Sequence, residues 1–222
     1  MLGRSDTYTP TNSASKSTLW GDFKYPRDTE IFGEGEPANF VYHINSGAVR
    51  TFKLLPDGRR QIGAFHLAGD IFGVENGGAY RLSAEAILDT RVRIAKRERL
   101  FAEPPELGAF STKELLTLLT KTIEHAENHL LLLGRQNAVE RVAAFLTEMD
   151  QRLQSPETLI LPMTRRDIAD YLGLTHETVS RAFAILIHSG VFSFPGPSHR
   201  EIVLHDRTKL TRMALWPEHP LR

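Results

Sequence analysis

The sequence predicts an α+β chain: an N-terminal β-roll or barrel, a long helix, and a C-terminal winged helix-turn-helix. Three observations predict it. From about Trp20 to Lys96, short apolar stretches are cut by turns rich in glycine, the habit of an all-β roll or barrel. From Leu116 to Leu133 an apolar stripe steps by three and four with no proline or glycine, as in a paired helix. After Thr164, two short helical patterns separated by Gly173 lead into a hairpin pattern.

The β-half reads strand by strand. Gly33 and Gly35 flank a turn. Phe40 to Ile44 is β-prone and stops at Ser46-Gly47. Ala48 to Leu54 alternates apolar and polar, Pro56-Asp57-Gly58 turns the chain, and Gln61 to Leu67 resumes the alternation before Gly69-Asp70. Ala84 to Ala95 reads as a strand pair broken near Asp89.

The pattern changes after Pro104-Pro105. Leu116, Leu119, Ile123, Ala126, Leu130 and Leu133 form an a/d seam, and Asn137 falls on its next position. A buried Asn there could fix register between two helices, and Gly134 could bend the helix. A stripe of this kind serves to pair with a second copy of the chain; its other use is to pack on its own β-domain. A further helix presents Val142, Phe145, Leu146, Met149 and Leu153 on one face and ends at Ser155-Pro156. Leu159 to Leu161 is a short strand. Val191 to Phe194, a Pro-Gly-Pro turn, and Glu201 to Leu204 make a hairpin.

In "TRRDIADYLGLTHETVSR" (Thr164 to Arg181), Thr164 is a good N-cap and Asp167 the acid of a capping-box-like pair. Ile168 and Leu172 face inward, Ala169 allows two helices to cross closely, Gly173 permits a left-handed turn, Leu174 plugs it, and Thr175 caps the next helix. Val179, Ala182 and Leu186 are that helix's buried face. His176, Glu177, Ser180 and Arg181 remain outside, in the first turns, where a recognition helix presents base-reading side chains. Arg181 can donate twice to a guanine, Glu177 can accept from a cytosine amine, and Ser180 can do either. Thr164, Arg165, Arg166, Thr175 and Thr178, at the helix N-termini, are candidates for backbone phosphates. The alternative is a solvated face with a Glu177–Arg181 ion pair.

Bulk properties bound these readings. With 222 residues the chain can bury a sizeable core. Hydrophobic residues are 41% and charged residues 24%, ordinary for a globular protein. Lys+Arg and Asp+Glu are 27 each, so nucleic-acid binding would depend on a local basic face. The absence of cysteine excludes disulfides, thiolate metal sites and thiol redox sensing. No apolar run approaches the roughly 18 residues of a membrane span. The N-terminal residues lack the apolar centre of a signal peptide and read as a disordered lead-in. The expectation is a soluble, cytoplasmic protein without a membrane partner. The domains expected are a tail over 1–19, a β-roll over 20–108, a dimerisation helix over 109–135 and a winged helix-turn-helix over 136–222.

Three stretches carry a resemblance: "QIGAFHLAGDIFG" (Gln61 to Gly73), "NAVERVAAFL" (Asn137 to Leu146) and "MTRRDIADYLGLTHETVSR" (Met163 to Arg181). The chain resembles the CRP/FNR superfamily of bacterial transcription regulators, within its FNR/FixK-like branch. The resemblance implies a β-roll of the cyclic-nucleotide-binding, jelly-roll type, a homodimer, double-stranded DNA as ligand, and usually RNA polymerase as partner. The subgroup's E-x-x-S-R falls on Glu177, Ser180 and Arg181. It implies a palindrome like TTGA-N6-TCAA, with Arg181 on the G, Glu177 on its paired C and Ser180 on a T. The cyclic-AMP branch has Arg where this chain has His176, and what His176 reads stays open.

Two departures shape the expectation about cofactors. The cysteines that hold an iron–sulfur cluster in oxygen-sensing members are absent. The Arg-Ser pair that binds phosphate in cyclic-AMP receptors is interrupted here, with Leu82 between Arg81 and Ser83. FixK-like members commonly lack a cofactor, so the resemblance implies an activator with none, in nitrogen-fixation or microaerobic regulation. The alternative is the same architecture gated by a small molecule or cyclic nucleotide. The loop of Leu54, Leu55, Pro56, Asp57, Gly58 and Arg59 lies where related activators touch polymerase; its plain reading is a hairpin turn. His43 and His66 are lone strand histidines without the clustering a metal enzyme needs. No P-loop or nucleophile–base motif occurs, so no enzyme is expected. Trp20 and Trp216 read as packing anchors.

Overall fold

The computed structural model describes residues 20–99, 111–135, 137–154, 157–197 and 200–214. The expectations for the tail, Pro104-Pro105, Ser155-Pro156 and Trp216 lie outside the described residues.

Eight strands build the N-terminal half: β1 (Gly21–Tyr25), β2 (Glu30–Phe32), β3 (Phe40–Ser46), β4 (Ala48–Leu54), β5 (Arg60–Leu67), β6 (Ile71–Phe72), β7 (Ser83–Ala86) and β8 (Thr90–Lys96). They form two antiparallel sheets, β1-β8-β3-β6 and β2-β7-β4-β5. Phe32, Val49 and Ala84 of one sheet share a buried cluster with Tyr42, Ile44, Phe72 and Val92 of the other. The sheets therefore face each other, as a roll requires. Gly47 makes the tight step from β3 to β4 at φ +94°, and a Cβ there would lie 2.4 Å from Thr90 Oγ1.

Two strand expectations change. Ala84 to Ala95 is not one strand pair: β7 joins β4 while β8 joins β3, so the break at Asp89 carries the chain between sheets. β4 is not half-buried either, since Ala48 to Phe52 are all buried. Val49 points into the roll, whereas Ala48 and Phe52, with Ile62, Phe65 and Leu67 of β5, belong to a second core shared with the C-terminal half.

That second core gathers around α2 (Ala138–Leu153), whose Val142, Ala143, Phe145, Leu146 and Met149 are buried. Phe145 lies edge-on to Phe65 of the roll at 6.1 Å and 5.7 Å from Tyr171. Before α2 comes α1 (Thr112–Leu133), opened by a capping box between Ser111 and Glu114. Gly134 is the C-cap of α1 rather than a bend, and Asn137 caps α2, accepting from Val139 N at 2.8 Å. Asn137 is therefore exposed and off the seam.

α1 has two unlike faces. Leu115, Leu118, His125 and His129 are half-buried and Leu132 is buried against the chain's own body. Leu116, Leu119, Ile123, Ala126 and Leu130 are exposed, Leu130 at 71% and Ile123 at 58%. Leu133 departs from this stripe: it is half-buried, and its side chain lies in van der Waals reach of the Gly173 turn. Most of the stripe is thus free of the β-domain, while Leu119 borders a cavity of about 1170 Å3 with Phe40, Val74 and Arg97 of the roll.

β9 (Thr158–Ile160), β10 (Phe192–Ser193) and β11 (Glu201–Leu204) form a small sheet in the order β10-β11-β9. α5 (Arg207–Ala214), which the sequence reading did not anticipate, packs on α2, with Arg207 paired to Asp150 at 2.8 Å. No helix of the described residues is long and apolar enough to cross a membrane.

His66, inside the roll, stacks on Phe72 and lies 3.1 Å from Thr51 Oγ1. Burial lowers its pKa to about 4, the Arg152 and His125 charges pushing the same way against the Asp70 carboxylate. The folded state thus holds it neutral, whereas the unfolded chain protonates it near 6.5. Stability is full above the unfolded value and falls as pH drops through 6.5 toward about 4. We expect His66→Gln to remove an acid destabilisation on the order of 3 kcal/mol, read as the difference between the two proteins' denaturation midpoints across that window. Parallel curves would show another group to be responsible.

Candidate nucleic-acid interface

α3 (Arg165–Leu172) and α4 (His176–His188) form the helix-turn-helix. Thr164 and Asp167 make a reciprocal capping box at the start of α3. Gly173 closes α3 at φ +63°, a left-handed position that glycine takes without a Cβ penalty. Thr175 caps α4 and accepts from Thr178 N at 3.2 Å. Ile168, Ala169 and Leu172 of α3 and Val179, Ala182 and Leu186 of α4 are buried, so the apolar residues of the motif make the fold.

The polar residues point out. His176, Glu177 and Arg181 are exposed, and Ser180 is half-buried. Glu177 and Arg181 form no ion pair within 4 Å among the described residues. Glu177's own backbone N–H and the Thr175 hydroxyl hold its carboxyl below the usual carboxylate range, and the Arg181 charge also favours the ionised carboxylate. It is therefore an ionised acceptor, suited to an amine donor. His176 lies at one side of this face, where it lines a cavity of about 190 Å3 with Thr164, Arg165 and Arg200.

The residues expected at phosphates separate into four kinds. Arg166 is exposed and makes no ion pair among the described residues. Thr175 and Thr178 set their hydroxyls 3.0 Å apart, and the Thr175 hydroxyl also serves the Glu177 carboxylate, so the three side chains form one cluster at the start of α4. Arg165 is held over two rings, 4.5 Å from the Phe183 centroid and 5.2 Å from that of Phe194 in the wing. Thr164 departs from the expectation. Its N–H and its hydroxyl both donate to Asp167 Oδ2, at 3.0 and 2.7 Å, leaving no donor for a phosphate.

In the β4–β5 turn, Leu54, Asp57, Gly58 and Arg59 are exposed and Leu55 is half-buried. Asp57 accepts from Arg59 Nε at 2.7 Å. The turn borders a groove of about 680 Å3 whose other wall includes Arg166, Gly173 and Thr175. In the roll, Arg81 pairs with Glu75 at 3.0 Å and Ser83 Oγ accepts from Glu34 N at 2.9 Å. Phe32, Tyr42, Phe72 and Tyr80 stack together in the interior, Phe32 and Tyr80 at 3.7 Å. Trp20 lies outside the sheet, with Arg93 over its ring and His43 at its edge. No group of three or more metal-ligating side chains occurs among the described residues.

Sequence reasoning missed Arg50, Arg60 and Phe194. Arg50 left a signal: it occupies an apolar slot between Ala48 and Phe52 on one face of β4. A charge there requires a buried partner, and Asp167 supplies it at 2.9 Å.

Known proteins place this architecture. A family model described as the Crp-like helix-turn-helix domain matches residues 140–213, and one described as the cyclic nucleotide-binding domain matches 22–102. The nitrogen fixation regulation protein FixK of Azorhizobium caulinodans is 45% identical over 197 residues, covering 85% of this chain and 77% of that protein. The fumarate and nitrate reduction regulatory protein of Escherichia coli is 31% identical over 193 residues, covering 83% and 74%. The structure of FixK2 from Bradyrhizobium japonicum superposes with a TM-score of 0.82 at 50% identity, covering 90% of this chain and 99% of that one. The chain belongs to the CRP/FNR family of DNA-binding transcription regulators, on its FixK-like branch, and is not an enzyme.

Proposed function

We propose that this regulator is a homodimeric cytoplasmic activator that reads a palindrome of the TTGA-N6-TCAA type and recruits RNA polymerase without a bound cofactor. The observation that carries the reading is the α4 face, where Glu177 and Arg181 stand exposed and unpaired with each other beside Ser180. Arg181 donates to the guanine, Glu177 accepts from its paired cytosine, and Ser180 meets a thymine. Arg165, Arg166, Thr175 and Thr178 hold the backbone. The exposed stripe Leu116, Leu119, Ile123, Ala126 and Leu130 pairs α1 with its twin. The two recognition helices then enter successive major grooves, about 34–36 Å apart. The turn from Leu54 to Arg59 offers polymerase an exposed surface beside the reader.

Ligand independence is supported by Leu82, which separates Arg81 from Ser83, and by the aromatic filling of the roll's interior.

The test is titration of the chain onto duplexes carrying the palindrome. Arg181→Ala should lose roughly 1–3 kcal/mol and its preference at the guanine. Binding and base preference both unchanged would remove Arg181 from the role.

A further inference from the structure

We propose that Arg50 and Arg60 of the roll, assisted by Gln61, are positioning residues for DNA reading: they hold α3 at one angle, so that the two recognition helices of a dimer keep one spacing. The proposal rests on the palindrome reading above.

α3 has eight residues, hardly more than the turns whose end groups need outside partners. Both of its ends are tied to other elements. At the N-terminal end, Asp167 Oδ2 serves the cap while Oδ1 accepts from Arg50 Nη1 at 2.9 Å and Arg60 Nη2 at 2.6 Å. Arg50 Nη2 also donates to Glu85 of β7 at 2.5 Å, and Arg60 Nε donates to Asp170 at 2.9 Å. At the C-terminal end, the Tyr171 carbonyl accepts from His129 of α1 at 2.9 Å and Gln61 of β5 at 3.4 Å. The Leu172 carbonyl accepts from Arg141 of α2 at 3.1 Å.

Apolar packing between α3 and the roll is non-directional and tolerates a tilt. The ionic contacts do not. Asp167 is 2% exposed and Arg50 9%. A tilt that parts them strands buried charges without partners, whereas the paired arrangement gives each charge a fixed direction. α4 packs against α3, with Ala169 and Val179 in one buried cluster, and tilts with it. The reading face on α4 stays exposed while α3 is held, so this docking is compatible with a DNA-competent arrangement. Phe65, Phe145 and Tyr171 supply the packing beneath α3. The pairing can therefore be removed while that apolar contact remains.

The experiment measures full-length protein on duplexes whose half-sites are separated by the preferred spacer, or by one base pair fewer or more. A duplex with a single half-site is the reference. In Arg50→Met/Arg60→Met, half-site affinity should stay within about twofold while discrimination between spacers falls about tenfold. Arg60→Lys, which keeps the charge but not the fork, should retain more of the discrimination than Arg60→Met. The single variant Arg60→Met leaves Arg50 on Asp167 and carries the same test if the double variant does not fold. Circular dichroism checks each variant. A folded variant that keeps full spacer discrimination overturns the proposal. An unmodified chain that does not bind the palindrome, or prefers no spacer, overturns the palindrome reading and this inference together.

Discussion

Phe145→Ala is expected to lower unfolding stability by about 3–5 kcal/mol, a large share of what a chain of this size has. Phe145 is among the largest fully buried side chains, on the inward face of α2. Its ring touches both halves of the molecule, Phe65 on one side and Tyr171 on the other. Truncation leaves a cavity between roll and reader, and neither half alone can collapse into it. The measurement is the urea midpoint followed by circular dichroism. A loss below about 1 kcal/mol would mean that the site closes up on truncation.

Leu130→Asp is expected to turn the proposed dimer into monomers. Leu130 is exposed along the apolar stripe of α1. In a two-fold interface each substitution occurs twice, so two carboxylates would face each other across the seam. Sedimentation should show the mass of one chain. Affinity for the palindrome should fall about 10²–10⁴-fold, because two linked half-sites become independent. A dimer that survives the substitution would place the interface elsewhere. Little change in monomer stability is expected, since the side chain makes few contacts within its own chain.

What could be read from the sequence was local. The turn glycine at 173, the caps at Thr164 and Thr175, and the buried set Ile168, Leu172, Val179 and Ala182 each follow from neighbours a few residues away. The inward and outward faces of α4 follow in the same way, and with them the outward placement of Glu177 and Arg181. The readings that failed depended on distance or on counting past an end. Asn137 continues the heptad arithmetic, but Gly134 has already ended the helix, and the arithmetic has no term for termination. The separation of β7 from β8 is a matter of sheet partners, which adjacent strand patterns do not encode. The Arg50–Asp167 pair joins positions 117 residues apart. Thr164 was legible as a cap, yet the same capping consumes the donors a phosphate would need. α5 carries a local signal as well: Asp206 accepts from Lys209 N at 2.7 Å, an ordinary N-cap.

The outer face of β4 and β5 has a consequence in time. Ala48, Phe52, Ile62, Phe65 and Leu67 are apolar on the side turned away from the roll's interior. Their cover, α2 and α3, is made later in synthesis. At about 5–20 residues per second, the roughly 100 residues between Leu67 and Tyr171 take on the order of 5–20 s to add. For that interval a nascent roll carries an uncovered apolar sheet face. Each new copy of this regulator therefore passes through a sticky adolescence, and the arrival of its own DNA-reading half ends it.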